Sequence, residues 1–590
     1  MTSELEGIDL QLLLPELIMT IGLAAIIIVP NLGDAKFRIP LTSRRIPVLI
    51  GGTRFPATRD PRLPNRMALA TLVAALLAGT LALLDPPGSG EVGSPLEVAP
   101  FRSLLTNLFL CVLILCTVSA TQRLPSDPAA AAPGEDDDDE SETAKTSALY
   151  DNRRQADFHI LLLTLGLGMS LMAKSTHLFM LFVCLELASL SSYVLVGFHK
   201  ETKAGGEAGT KYFIVGSVAS AIGIYGMSLL YLWNGDLSVS GLSQSWQSME
   251  TIDPLAAAGV GMMLVAFGFK VGAAPFHLAI PDAYSGTSSM VAGVLATASK
   301  AMGFVALMRL LLTIAMPASG SAFWYGTLAV ISVVTMTWGN LAALSSDNPK
   351  RILAYSSVAH AGYMLAAVSA IGSGLADGPA SQMIVMAVLF HLCVLVVFKM
   401  GPFMVLSAIA REVGSHRVSG RNGLASRDPL LAASMFVFML SLAGVPPFSG
   451  FLSKLLMING IVTVSAGTGG ASTILSWATS VDPAFWLAVA VVLNSALSMF
   501  YYLRMGMVMF FEPNEAGDGP PCGPAIRVLI VTLALLSLAL GIGPPSEWLL
   551  GRAEDAAAAL LAGIAGSTAH RGHLTDAPWP AGRSRWTQSC

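Results

Sequence analysis

Charge is what this sequence has least of. Asp, Glu, Lys and Arg make up only 12% of its 590 residues, about half the usual share of a soluble domain. Hydrophobic residues make up 54% and the mean hydropathy is +0.65, which excludes an ordinary soluble globule and places the chain among membrane proteins. Cysteine is also scarce. The six are Cys111, Cys116, Cys184, Cys393, Cys522 and Cys590, and none forms a C-x-x-C pair. Zinc and iron–sulfur sites need clustered thiolates, so no metal is expected here. No P-loop is present, and no G-x-G-x-x-G opens a helix after a strand, so nucleotide binding is not expected. No basic tract with interleaved aromatics points to nucleic acid, and the net charge of −4 favours no partner. Any redox centres would belong to other chains.

What the sequence has is long apolar runs. A span needs roughly 20 apolar residues. Candidates lie near 10–31, 66–85, 102–120, 158–173, 176–198, 210–233, 254–274, 287–313, 322–345, 351–370, 382–410, 430–462, 482–510 and 526–545. Only a short turn at Lys174 divides the fourth from the fifth. The start, MTSELEGIDLQLLLPELIMTIGLAAIIIVP, lacks a basic segment and a small-residue cleavage site, and predicts a first spanning helix rather than a signal peptide. Loop charge tests the count. The odd loops carry nearly all of the loop Lys and Arg, including Lys36, Arg38, Arg44, Arg45 and Arg54 in the first and Arg411, Arg417, Arg421 and Arg427 in the eleventh. The even loops carry only Lys174. The positive-inside rule then predicts fourteen spans with both termini outside. Residues 1–120 hold the first three helices, and 121–157 a cytoplasmic loop. Its run Glu135, Asp136, Asp137, Asp138, Asp139 and Glu140 predicts disorder near 124–150. Helix 14 and a C-terminal segment fill 512–566, and a Gly-, Pro-, Ser- and Arg-rich tail follows over 567–590.

Five charges fall inside spans: Glu186 in the fifth, Lys270 in the seventh, Lys300 in the eighth, Lys399 in the eleventh and Lys454 in the twelfth. Each central charge costs roughly 2.5–3.5 kcal/mol on insertion scales. Five together cost on the order of 12–17 kcal/mol, as much as a domain's whole stability margin. That is tolerable only where the groups face one another or enclosed water, so the set predicts an ion pathway. Protons fit better than metal cations, because cation sites need several oxygen ligands and one deep carboxylate is visible. Low-dielectric surroundings and like neighbours favour release of an ammonium proton, and a nearby carboxylate favours its retention. His360 and His391 lie on apolar faces, where each is as suited to packing as to extending a relay. Lys174, Lys200, Lys211, Lys350, Arg504 and Arg527 lie near helix ends, where snorkelling is expected, and Glu16 is expected at the interface.

Two spans are interrupted. The seventh carries Lys270 and then Pro275; the twelfth carries Pro446 and Pro447 and then Lys454. Proline breaks a helix, and freed backbone groups at membrane depth survive only where protein or water covers them. Spans 4–8 (158–313) begin inside and spans 9–13 (322–511) begin outside. They read as two inverted five-helix repeats with the broken helix fourth in each, which points to a transport site.

These residues resemble a known family. The stretch FKVGAAPFHLAIPDAYSG…LATASKA at 269–301 is similar to the core motif of the antiporter-like subunits of respiratory complex I, relatives of multisubunit cation/proton antiporters and membrane-bound hydrogenases. LLPEL at 13–17, LELASLSSYVLVGF at 185–198, GNLAALSSDNPKRILAYSSVAHAGYML at 339–365, SLAGVPPFSGFLSK at 441–454 and YYLR at 501–504 resemble its subunit N branch. The resemblance implies an all-α polytopic membrane protein of about fourteen helices, with helices 7 and 12 broken. It also implies two half-channels and a buried chain of charges that moves protons across a bacterial inner membrane. Glu186 would pair with Lys270, Lys300 would connect onward, Lys399 or Lys454 would be the exit, and Lys211 in KYF matches a sixth-helix lysine. NADH, FMN, iron–sulfur clusters and quinone would sit in partner subunits, and the partners would be the other membrane subunits of that complex. The alternative is a subunit of a sodium/proton antiporter or hydrogenase complex. The chain departs from the family at Ala279 and at Gly286, Thr287 and Ser288, in the loop after the first broken helix.

Overall fold

The computed structural model describes residues 13–32, 36–38, 45–47, 60, 62–84, 100–120, 152–200, 202–315, 321–372, 378–409, 423–465, 483–511 and 523–565. The acidic loop, the tail, Cys522 and Cys590 lie outside them.

The chain is a bundle of helices α1 (Leu14–Ile28), α2 (Leu63–Leu84), α3 (Pro100–Ala120), α4 (Asn152–Lys174), α5 (Leu178–Val196) and α6 (Lys203–Asn234). A short helix α7 (Val239–Gln247) precedes α8 (Pro254–Val271) and α9 (Ile280–Gly286). The eighth expected span is α10 (Ser289–Val294), a π-helical turn (Leu295–Ser299) and α11 (Lys300–Met308), with a second π-helical segment at Arg309–Ala315. Then come α12 (Ser321–Leu344), α13 (Pro349–Ile371), α14 (Gly378–Ile409), α15 (Leu424–Arg427), α16 (Pro429–Ala443), α17 (Ser449–Ser465), α18 (Pro483–Phe511), α19 (Pro524–Ala539) and α20 (Pro544–Ala565). One small hairpin, Lys36–Arg38 against Arg45–Pro47, lies in the first loop. Among the described residues, eleven helical segments are long and apolar enough to cross a membrane, and α19 with α20 makes a twelfth bent by 75°. Helices α1, α16 and α17 are apolar but shorter. The segment after the fourteenth expected span is therefore itself helical, and it packs back onto α14 and α3.

Local chemistry explains where these helices begin. Pro254, Pro349 and Pro429 stand at first helical positions, where the missing N–H costs nothing. Ahead of them, Asp253, Asn348 and Asp428 accept backbone N–H bonds at 2.7, 3.0 and 3.1 Å. Burial sorts the spans into layers. The α10–α11, α13 and α14 windows are 100%, 94% and 83% buried inside the protein, whereas α2 is only 33% buried. The outer helices expose large apolar side chains such as Leu81, Phe213, Leu232, Val330 and Phe500, suited to lipid or to neighbouring subunits.

The two expected breaks are built alike. Helix α8 ends at Gly272 (φ 79°) and α16 at Gly444 (φ 83°). At each, the next residue's N–H reaches five residues back: Ala273 to the Gly268 carbonyl at 2.8 Å and Val445 to the Leu440 carbonyl at 3.0 Å. This is a Schellman ending, for which glycine is the ordinary solution because its φ is positive. Past the first break, the freed Ala274 N–H donates to Thr335 Oγ1 of α12 at 2.9 Å, so the interruption at membrane depth is covered by protein.

Candidate functional site

Lys270 ends α8 and is only 8% exposed. Its Nζ donates to Tyr193 Oη at 2.9 Å and stands 4.6 Å from the centre of the same ring. Glu186 lies on α5 with Tyr193, is half-buried, and accepts from Ser220 Oγ of α6 at 2.7 Å. The expected Glu186–Lys270 pair is therefore not a direct ion pair: each group has its own neutral hydroxyl partner, although the carboxylate remains within electrostatic reach of the ammonium.

Lys300 is 1% exposed and follows the π turn of the eighth span. It donates to the Val271 carbonyl at 3.0 Å and to the Ser357 carbonyl of α13 at 2.5 Å. A cation on the last carbonyls of a helix is favoured by the helix dipole. Close approach is possible because α11 carries Gly303, where a Cβ would fall 2.9 Å from Lys270 Cβ. Lys454 does the same at the second break. It donates to the Leu442 and Ala443 carbonyls at 2.9 and 3.2 Å and to Ser495 Oγ at 3.0 Å.

Between these ends runs a set of hydrogen-bonded polar side chains from α13, α14, α17 and α18. Lys399, fully buried on α14, donates to Ser356 Oγ at 2.5 Å. Ser356 and Tyr502 share a hydrogen bond, and Tyr502 Oη lies 3.4 Å from His360 Nε2. His360 Nδ1 lies 3.1 Å from His391 Nε2, with the rings stacked 18° from parallel. His391 Nδ1 lies 2.9 Å from Ser453 Oγ, next to Lys454 in the chain. Each neutral imidazole has one N–H and one bare nitrogen, so it can take a proton on one side and release one on the other. Ser356 and Ser357 are neighbours on α13, so the partners of Lys399 and Lys300 are joined by the backbone and not by a hydrogen bond.

Several predicted residues lie elsewhere. Lys211 is exposed, pairing with Glu207 at 2.6 Å and with Asp282 at 2.9 Å; Arg351 joins Asp282 at 2.7 Å. That cluster ties α6, α9 and α13 at the protein's surface. Lys350, Arg504 and Arg527 keep helix-end positions, bonded to the Thr287 carbonyl, the Ser346 carbonyl and Asp428 respectively. Lys174 and Glu16 are corrections. They are neither snorkelling nor interfacial but form an ion pair of 2.7 Å whose side chains are 3% and 4% exposed. Ser170 also donates to Glu16, and Arg309 holds the Ala173 and Ser175 carbonyls. Pairing offsets the cost of burying each of these charges, and removing one partner would strand the other.

The residues missed from sequence are hydroxyls: Tyr193, Ser220, Ser356, Ser453 and Tyr502. Tyr193 had a readable signal. Seven residues after Glu186 is two helical turns, which places both on one face. Among the described residues no group of three or more His, Cys, Asp or Glu could hold a metal ion.

A family described as "NADH:quinone oxidoreductase/Mrp antiporter, TM" matches residues 175–480. NADH-quinone oxidoreductase subunit N 2 of Chloroherpeton thalassium is 35% identical over 402 residues, covering 67% of this chain and 73% of that protein. A chain of respiratory complex I from Thermus thermophilus superposes with a TM-score of 0.65 at 28% identity, over 91% of this chain and 98% of the other. A chain of the Mrp complex from Dietzia sp. DQ12-45-1b gives 0.72 at 21% identity, over 96% and 100%. At that identity the last shows a shared fold alone.

Proposed function

The chain belongs to the NADH:quinone oxidoreductase/Mrp antiporter membrane family, on its subunit N side, and from that membership we propose that its buried lysine–histidine chain carries protons across the membrane. It is a membrane subunit of NADH-quinone oxidoreductase, embedded in the bilayer beside the other membrane subunits of the complex. The observation that carries the relay is the hydrogen-bonded run from Lys399 through Ser356, Tyr502, His360 and His391 to Ser453, with Lys300 on the Ser357 carbonyl at one end and Lys454 next to Ser453 in the chain at the other. Every lysine and histidine in it is at most 3% exposed.

In this reading Lys270 and Glu186 receive the proton, Lys300 passes it on, Lys399 stands in the middle of the wire, and Lys454 is the exit. Two breaks frame the wire, each with a lysine on its open helix end, and the two five-helix units are inverted repeats of one half-channel. Several buried polar atoms among the described residues have no hydrogen-bond partner, His277 Nδ1 just past the first break among them. Enclosed water would satisfy them, and water is what a proton path beside a broken helix requires. NADH, flavin, iron–sulfur clusters and quinone belong to partner subunits, and this chain has no redox centre of its own. The membrane is a bacterial inner membrane with both termini on the periplasmic side.

The rival sodium/proton antiporter reading shares the family and the fold, but the relative reported above is a subunit N, and five lysines and histidines on hydroxyl partners suit protons rather than a metal ion. Proton pumping driven by NADH in membrane vesicles tests the relay. Lys270→Ala and Glu186→Gln should each lower pumping by about tenfold or more, the scale of a positioned proton-transfer group, while the complex stays assembled. Undiminished pumping in both variants would remove Lys270 and Glu186 from the path.

A further inference from the structure

The separation of Glu186 from Lys270 leaves a question that the relay reading does not answer: what connects them. Both partners of the pair end on hydroxyls carried by α5 and α6. Lys270 Nζ ends on Tyr193 Oη at 2.9 Å. Glu186 ends on Ser220 Oγ at 2.7 Å. The Tyr193 hydroxyl in turn lies beside Ser220 and Ser189. Glu186, Ser189 and Tyr193 occupy one face of α5 at helical spacing.

The backbone of α6 is shaped around that phenol. At Gly216 a Cβ would fall 2.2 Å from Tyr193 Oη and 2.5 Å from Cζ, so any larger residue would evict the hydroxyl. One turn further along the same helix, Ser220 supplies the next oxygen. Tyr212 and Phe213, also on α6, hold the Tyr193 ring edge-on at 5.0 and 6.0 Å. A ring that only filled space would not need a glycine opposite its polar tip. A buried hydroxyl that accepts from an ammonium also has one hydrogen left to give.

We propose that the Tyr193 hydroxyl, acting through Ser220, is the proton link between Lys270 and Glu186. The inference rests on the relay reading and adds a residue to it. The transfer balances without any co-reactant. The Lys270 ammonium gives a proton to Tyr193 Oη, the phenolic hydrogen passes to Ser220 Oγ, and the serine hydrogen passes to the Glu186 carboxylate. Lysine and glutamate end neutral, and both hydroxyls end as they began. Because the carboxylate is reached through hydroxyls, it need not approach the lysine for a proton to move between them.

The test uses the assembled complex in membrane vesicles, with NADH-driven proton pumping measured at equal complex content. Tyr193→Phe keeps the ring over Lys270 and its packing but removes the hydroxyl. It should lower pumping by about tenfold or more. Ser220→Ala should lower it likewise, and Ser220→Thr, which keeps a hydroxyl, should restore it. A purely structural role would leave Tyr193→Phe near wild type and would not separate Ser220→Ala from Ser220→Thr. Wild-type pumping in Tyr193→Phe and Ser220→Ala, with pumping lost in Glu186→Gln and Lys270→Ala, overturns the link and leaves the relay standing. If all four pump normally, the relay itself fails. Should Tyr193→Phe not assemble, the two serine variants decide alone.

Discussion

Lys399 and Lys454 are both candidates for the exit in the sequence, Lys399 the less secure, and their surroundings differ. Lys399 sits on α14, the inner helix with the most apolar window, of mean hydropathy 2.5, and its Nζ partner is a serine hydroxyl in the middle of the wire. Lys454 lies at the far end, on the open carbonyls of α16. His360 and His391 are the segment between. Replacing His391 by Phe keeps the ring's volume and removes both nitrogens, so it should interrupt transport past Lys399. We expect NADH-driven pumping to fall on the order of tenfold or more, with assembly retained. A His391→Phe complex that pumps normally would show that protons leave the wire before the histidines.

At the scale of elements, the two broken helices do the positioning. Their endings depend on backbone that only glycine adopts without strain: Gly272 and Gly444 have φ of 79° and 83°. A side chain at such a position costs roughly 1–2 kcal/mol. At Gly444 it would also fall 3.1 Å from Lys454 Cδ and push the ammonium off its carbonyls. Gly444→Ala should therefore lose pumping and lower the thermal midpoint of the purified complex. Gly261, on α8 with nothing within 4 Å of a would-be Cβ, provides the control: Gly261→Ala should leave both unchanged. The π turn at Leu295–Ser299 belongs to the same scale. It shifts the helical register just ahead of Lys300, and such turns recur at functional positions. Nothing in the LATAS pattern announces it.

Across the whole molecule, a second buried charge site ties the N-terminal helix α1 to the helices that follow. Glu16 on α1 pairs with Lys174 at the end of α4. Arg309, from the segment after α11, binds the carbonyls on either side of Lys174. Removing one partner of a buried pair strands the other charge at a cost of about 3–5 kcal/mol, whereas replacing both by apolar residues is often neutral. Glu16→Gln and Lys174→Met should each lower the thermal stability of the complex, and Glu16→Met with Lys174→Met together should recover most of the loss. No recovery in the double variant would mean that the charges themselves, rather than the packing, are required.

The sequence by itself determined the class of molecule, because apolar runs of spanning length and the alternation of loop Lys and Arg report directly on the bilayer. It also determined the two breaks, since proline and glycine act on the backbone they belong to, and it singled out Lys270, Lys300, Lys399 and Lys454, because an ammonium inside an apolar run is costly wherever it points. Tertiary structure decided the rest. Whether Lys174 meets water or Glu16 depends on how α1 lies against α4, which helical periodicity does not encode; Lys211 is the opposite case, sharing a motif with the relay while its helix places it at the surface. The hydroxyls of Tyr193, Ser220, Ser356, Ser453 and Tyr502 are ordinary residues in an apolar helix until neighbouring helices aim them at a lysine, a carboxylate or a histidine. The buried charges were legible because isolation makes them expensive. Their connections were not, because a hydrogen bond between helices exists only once the helices have packed.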